Sequence, residues 1–427
     1  MDSIAGVDMA ALGKRAKDAS RQLARLYAQR KNSALLALAD ALARHEADIL
    51  AANSIDVANA YARGVEAYFV DRLTLTPDRL AAIAADVRSV AALPDPIGEQ
   101  YDHARMPNGL RLHKRRIPLG VIGVIYESRP NVTIDIAALC LKSGNAALLR
   151  GGSDNINSNS AMLRVIQSVL RAHALPADAV VLVEDPDRAR ILELLKLNDY
   201  VDLIIPRGGA NLHKLCRDNS TIPVITGGMG INHIYVDESA DQTLAIDVIF
   251  NAKVSKPSVC NALGTLLVQH DIAAGFLPRL ARKLAEKNVE LRCDARALTI
   301  LASASQLGPS VLPARPEDWD TEWLSLTLGM KVVDSIDEAL AFIAAHSMEH
   351  SDGILSNRAD NIIRFVNEVN SSGVFVNCST RFNDGGQFGL GAEVAVSTQR
   401  IHARGPMGLC ELTSYKWVCE GDGHTRW

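Results

Sequence analysis

The stretch PLGVIGVIYESRPNVT, residues 118–133, decides how the chain is built. Gly120 to Tyr126 is a short apolar run closed by polar residues and a proline, the signature of a strand buried on both faces. Further apolar runs follow at Ala146 to Leu149, Val180 to Val183, Leu203 to Ile205 and Val224 to Ile225. Stretches with helical spacing lie between them, such as Asn159 to Arg171 and Arg188 to Leu195. Strands alternating with helices predict a parallel, doubly wound sheet, which binds ligands beyond the carboxyl ends of its strands. A second series, Ile234 to Val236, Gly264 to Val268, Lys331 to Val333 and Val374 to Val376, predicts a second α/β lobe, and Leu409 to Val418 reads as a final strand.

Upstream, residues 8 to 93 read as helices, with Leu23, Leu26, Leu35, Leu38 and Leu42 at helical spacing. Thr76-Pro77-Asp78 is a helix start: an N-cap hydroxyl, a proline at the first position and an acid beside it. Leu93-Pro94-Asp95-Pro96 ends that helix. His103 to Met106 and Leu110 to Ile117 flank Pro107-Asn108-Gly109 and predict a β-hairpin. Arg105, Arg111, Lys114, Arg115 and Arg116 make it a polar ribbon. A two-stranded ribbon is marginal alone, so it is expected to lean on another subunit; a merely solvated hairpin is the bland alternative.

The 427 residues exceed one small core and fit two or three lobes. A net charge of −4, with 48% hydrophobic and 22% charged residues, offers no basic surplus for nucleic acid or an anionic membrane. The first residues lack a secretory pattern, and apolar runs such as Val121 to Tyr126 are too short to span a bilayer. Seven scattered cysteines without a CxxC pair argue for a reducing cytoplasm, no disulfide framework and no zinc.

Cys260, in Lys253-Val254-Ser255-Lys256-Pro257-Ser258-Val259-Cys260-Asn261, falls in a loop between a helix broken by Pro257 and a following strand. Lys253 and Lys256 are placed to favour its thiolate, the attacking species; a buried structural thiol is the plainer reading. No GxGxxG follows the first strand. Gly208 and Gly209, in Pro206-Arg207-Gly208-Gly209-Ala210, suit phosphate held by backbone amides at a helix start, and equally a tight strand-to-helix turn. His346 and His350 are four apart without a third ligand, which leaves a polar helix end rather than a metal site. Arg129, Arg381 and Arg404 are candidate anion receptors, because the guanidinium fork matches carboxylate and phosphate.

Residues 118–133, Ala252 to Asn261, Asp384 to Ala395 and His402 to Leu409 together resemble the γ-glutamyl phosphate reductase family of the aldehyde dehydrogenase superfamily, and the resemblance extends over essentially the whole chain. It implies an α/β, aldehyde dehydrogenase-like fold: two doubly wound parallel-sheet domains plus a small β oligomerisation element. Residues 1–100 and 119–228 would bind NADPH, with 396–406 returning to them; 229–395 would form the catalytic domain; 101–118 and 407–427 would form the oligomerisation hairpin and tail strand. The solvated-hairpin alternative then falls. The resemblance makes Cys260 the nucleophile and Asn131 the oxyanion-binding amide. It places Arg150, Gly208, Gly209 and Glu322 against NADPH/NADP+, and Ser379, Thr380, Arg381 and Arg129 against the substrate. No metal is implied.

One departure is informative. Hydrolytic members of the superfamily carry a glutamate just before a Gly-Gly pair, whereas here Val224-Ile225-Thr226-Gly227-Gly228-Met229 holds no acid. Without a base to activate water, a thioester is spared hydrolysis. The implied reaction is therefore NADPH-dependent reduction of L-glutamyl 5-phosphate to glutamate 5-semialdehyde through a Cys260 thioester, the second step of proline synthesis from glutamate. The implied setting is a cytoplasmic homo-oligomer, dimer or tetramer, with a transient complex with glutamate 5-kinase. The rivals are a coenzyme A-acylating aldehyde dehydrogenase, a cysteine hydrolase, for which no nearby histidine base stands out, and a non-catalytic nucleotide-binding protein.

Overall fold

The computed structural model describes residues 7–227, 229–302 and 310–426. The first six residues and Gly228, which enter two of the expectations above, lie outside them. The chain divides into two compact units.

The first unit comprises residues 7–226, Gly389–Ala395 and 407–426. It opens with five helices, Met9–Leu23, Ala28–Arg44, Glu46–Ala62, Ala67–Leu73 and Pro77–Ala92. Thr76 caps the last, accepting from the Arg79 N–H at 3.2 Å, with Pro77 at the first helical turn. Leu35, Leu38 and Leu42 turn inward, where helix Ala28–Arg44 packs on Pro77–Ala92. The hairpin follows as β1 (Gln100–Arg105) and β2 (Arg111–Pro118), paired antiparallel. Then come β3 (Val121–Tyr126), β4 (Ala146–Arg150), β5 (Val180–Leu182) and β6 (Leu203–Arg207), all parallel in the order β5-β4-β3-β6. Gly120 enters β3 at φ +130°, and an added Cβ would lie 2.1 Å from the Asp202 carboxylate, which accepts from the Val121 N–H and from Lys17. The expected strand at Val224 to Ile225 is reduced to one bridge, Ile204 to Val224. Because the chain runs β3, β4, β5 and then crosses to β6, strand order reverses between β3 and β6, where a parallel sheet opens a ligand crevice.

The second unit comprises Gly227–Phe388 and Val396–Pro406, with Gly228 and residues 303–309 not described. Its parallel sheet holds β7 (His233–Val236), β8 (Thr265–Gln269), β9 (Glu290–Cys293), β10 (Val311–Pro313), β11 (Thr327–Val333), β12 (Ser351–Leu355) and β13 (Gly373–Val376) in the order β10-β9-β11-β8-β7-β12-β13. Three of these strands, β9, β10 and β12, were not expected. Ile234, Leu266, Phe276, Leu280 and Met330 are among the side chains packed on one face.

The short pair β14 (Val396–Ser397) and β15 (Gly405–Pro406) closes residues 396–406 on the second unit. This corrects the return expected into the cofactor domain. Within 396–406, Arg404 donates to Asn370 Oδ1 at 2.8 Å and to Glu349 at 3.1 Å, and Arg400 also pairs with Glu349. Arg404 is thus committed to structure rather than to a ligand. The segment that rejoins the first unit instead is Gly389–Ala395, where Gly391 abuts Leu93. Finally β16 (Thr413–Glu420) pairs with β2, so the ribbon is completed to three strands by the chain's own tail. Lys114 lies over the rings of Tyr101, Tyr415 and Trp417 on that sheet.

Candidate active site

In the second unit, helix Gln242–Val254 ends before Pro257 and the chain turns through Cys260 into β8. Cys260 is partly exposed. Its peptide is clamped: the Asn232 side-chain amide donates to the Cys260 carbonyl at 2.7 Å and to Ala262 O at 2.7 Å. Gly230 lies so close that an added Cβ would sit 1.7 Å from the same carbonyl oxygen. The Gly230 N–H in turn donates to Glu322 Oε1 at 2.8 Å, so Glu322 is brought to the cysteine loop.

Lys253 turns away from this loop's surface. It is 1% exposed, donates to Leu263 O at 3.0 Å, and burial draws its pKa down to about 7. It anchors the loop from beneath. His346 pairs with Asp320 and His350 with Ser351, and no group of three metal-type ligands occurs among the described residues.

Residues 377–383 run back from β13 to the cysteine loop. Asn261, one residue past Cys260, knits the two together. Its carbonyl accepts from Thr380 Oγ1 at 2.8 Å, its amide donates to Asn383 O at 3.1 Å, and its Oδ1 accepts from Arg381 Nη1. Arg381 Nε donates to Ser255 Oγ at 3.2 Å, and Ser379 Oγ accepts from the Arg381 N–H. Burial disfavours the charge on Arg381, and nearby Asp384 and Cys260 offset this. Four expected residues, Ser379, Thr380, Arg381 and Glu322, thus gather round the Cys260 loop. Asn232, Ser255 and Asn261 were missed; only the adjacency of Asn261 to Cys260 hinted at a role.

The residues expected against the cofactor in the first unit sit at the carboxyl ends of its strands. Gly208 and Gly209 link β6 to helix Ala210–Asn219, and Gly209 is the N-cap. An added Cβ at Gly209 meets nothing within 4 Å, whereas one at Gly208 would strike Glu127 and Leu212. Glu127 Oε2 is 3.4 Å from the Gly209 N–H. Asn131 begins helix Asn131–Lys142 beyond β3, and its side-chain amide donates to Asp135 at 2.8 Å. Burial pushes the Asp135 carboxyl up to about 6, with Asp86 adding to the shift and Arg207 opposing it. Arg129 precedes Asn131 and is half-buried.

Arg150 ends β4 with its guanidinium on backbone carbonyls. Its Nη1 donates to Gly151 O at 2.7 Å and its Nη2 to Pro186 O at 2.7 Å and Asp187 O at 3.3 Å. Its fork is occupied by carbonyls, and its buried Nε has no partner among the described residues. The exposed Arg188 adds positive charge beside it.

The aldehyde dehydrogenase family model matches residues 3–315. The γ-glutamyl phosphate reductase of Roseiflexus castenholzii is 56% identical over 417 residues, 97% of this chain and 98% of that protein. The chain belongs to the γ-glutamyl phosphate reductases of the aldehyde dehydrogenase family. The γ-glutamyl phosphate reductase of Escherichia coli O1:K1 / APEC is 55% identical over 412 residues, 96% of this chain and 98% of that one. The crystal structure of γ-glutamyl phosphate reductase from Thermotoga maritima superposes with a TM-score of 0.94 at 44% identity, covering 98% of this chain and all of that one. The chain is therefore an oxidoreductase of this family with the aldehyde dehydrogenase-like α/β fold.

Proposed function

We propose that the protein reduces L-glutamyl 5-phosphate to L-glutamate 5-semialdehyde and phosphate, with NADPH as reductant and Cys260 as nucleophile. The observation that carries this reading is the Cys260 loop itself. A partly exposed thiol stands on a peptide clamped by Asn232 and Gly230, with the Arg381 loop tied to the next residue.

The first unit's crevice fits a dinucleotide. Gly209 offers an N–H in open space at a helix start, where a phosphate oxygen can outcompete the long Glu127 contact. Arg150 and Arg188 add positive charge beyond the carboxyl ends of β4 and β5. Glu322 is the expected partner of the nicotinamide ribose. When bound, the cofactor supplies the hydride.

The chain's own residues do the rest. The Cys260 thiolate attacks the γ-carbonyl, the S–C bond forms, and the C–O bond to phosphate breaks. The Asn131 amide and the Cys260 N–H hold the developing oxyanion, each such donor being worth about 3 kcal/mol of barrier. Thr226 in place of an acid leaves water unactivated, so the acyl group waits on sulfur. After reduction the thiohemiacetal oxyanion re-forms the carbonyl and expels the Cys260 thiolate. Ser379, Thr380, Arg381 and Arg129 are the substrate-side residues. The same reading carries a cytoplasmic homo-oligomer joined through the three-stranded ribbon, whose Tyr415 and Trp417 are exposed, and hand-over of a labile substrate from glutamate 5-kinase.

The test is the reverse assay. Glutamate 5-semialdehyde and NADP+ should yield NADPH only when phosphate is present, and Cys260→Ala should abolish it while leaving circular dichroism unchanged. Phosphate-independent turnover, or wild-type activity in the variant, would refute the proposal.

A further inference from the structure

A cavity of about 260 Å³ opens in the second unit, lined by Asn251, Ser255, Arg381, Phe382, Asp384 and Gln387. It carries one cation and one anion. Arg381 enters with two of its three nitrogens committed, Nε to Ser255 and Nη1 to Asn261, which leaves Nη2 without a partner among the described residues. Asp384 is likewise half committed. Its Oδ1 accepts from the Gly386 and Gln387 N–H groups at 2.9 and 3.3 Å, and no described group donates to Oδ2. The opposed charges feel each other. No direct ion pair joins them, so each keeps a ligating atom for a third party.

We propose that this cavity is the receptor for an α-amino-acid headgroup, with Arg381 Nη2 taking the α-carboxylate and Asp384 Oδ2 the α-ammonium. A zwitterion matches the pair, because each of its charges meets the opposite one. A bare dianion such as phosphate does not, since Asp384 would repel it. Position agrees as well. Arg381 is hydrogen-bonded to the residue after Cys260, and in a glutamyl group held on that sulfur the acyl carbon lies only three bonds, roughly 4 Å, from Cα. Asn251 and Gln387 add neutral polar groups to the wall, and the exposed ring of Phe382 an apolar one. This assignment rests on the function proposed above and adds to it which residue grips which end of the substrate.

The experiment compares glutamate 5-semialdehyde with 5-oxopentanoate, the same chain without the amine, in the NADP+- and phosphate-dependent oxidation. Asp384→Asn keeps an Oδ1 for both backbone bonds and loses the charge. It should lower kcat/KM for the amino substrate by roughly 10- to 100-fold relative to kcat/KM for 5-oxopentanoate, the range of one charged hydrogen bond. Arg381→Gln should lower kcat/KM for both, measured against pentanal, which has neither end, and should leave the KM for phosphate in place. Equal losses on the amino substrate and 5-oxopentanoate in Asp384→Asn would overturn the assignment, as would a raised phosphate KM in Arg381→Gln. Failure of the functional reading looks different: the wild-type protein would then not oxidise glutamate 5-semialdehyde at all.

Discussion

Replacing Lys253 by methionine probes the floor beneath the Cys260 loop. The ammonium is buried at the end of helix Gln242–Val254 with one partner, the Leu263 carbonyl, and no carboxylate among the described residues; desolvation lowers its pKa from 10.5 to about 7. A folded pKa below the unfolded one means that the unfolded chain holds the extra proton between these two values. Stability is therefore reduced below pH 7 and recovers as pH rises toward 10.5. Linkage over that interval makes the burial cost about 4 kcal/mol at pH 7 and about 2 kcal/mol at pH 9. Methionine fills the same volume without the charge, and strands Leu263 O at a cost of about 1–3 kcal/mol. The variant should thus be more stable than the parent at pH 7, by about 2 kcal/mol, and should lose the gain of similar size between pH 7 and pH 9. Urea unfolding at both pH values, followed by tryptophan fluorescence, measures this, because Trp319 and Trp323 both report from the second unit. Parallel pH dependence in parent and variant would refute the reasoning, since the lysine would then be solvated or paired. Loss of activity in a more stable variant would show that the Lys253 bond also sets the pose of the Cys260 loop.

Three further outcomes follow from the geometry. Arg188→Ala should raise the KM for NADPH roughly tenfold while sparing NADH, whereas Arg150→Ala should weaken both, because its fork holds the 151 and 186–187 backbone rather than a ligand; equal loss of the two cofactors in Arg188→Ala would show that it does not read the 2′-phosphate. Gly230→Ala should abolish turnover with circular dichroism intact, because the new Cβ falls 1.7 Å from the Cys260 carbonyl and must displace it; retained activity would mean that this clamp is dispensable. Asp135→Asn should lower kcat with little change in KM, and should erase a limb near pH 6 in the kcat profile, where the parent's carboxyl takes a proton and its hold on the Asn131 amide weakens; an unchanged profile would detach Asp135 from the chemistry.

The readable parts of this molecule are those whose signal is local. Val121–Tyr126 is apolar on both faces and reads as a buried strand; Thr76-Pro77 reads as a cap; Pro107-Asn108-Gly109 reads as a turn. Ser351–Leu355 did not read, because Ser-Asp-Gly is turn chemistry. It is nevertheless a fully buried strand: Asp352 is held by the His233 backbone and ring, Ser347 and Ser371, and these bonds keep its carboxylate ionised against the cost of burial. Three of those four donor groups come from other parts of the chain, 19 or more residues away. The site divides in the same way. Cys260 could be singled out from its loop, yet the two cations read for the site, Lys253 as a promoter of the thiolate and Arg381 as an anion receptor, end up with opposite fates. Lys253 lies on a helix face that packs, so its charge is turned inward and suppressed. Arg381 is held by Asn261 across 120 residues, so its charge is kept at a cavity. Residue type supplies the chemistry that is available; which of two cations is used is decided by contacts that no local pattern carries.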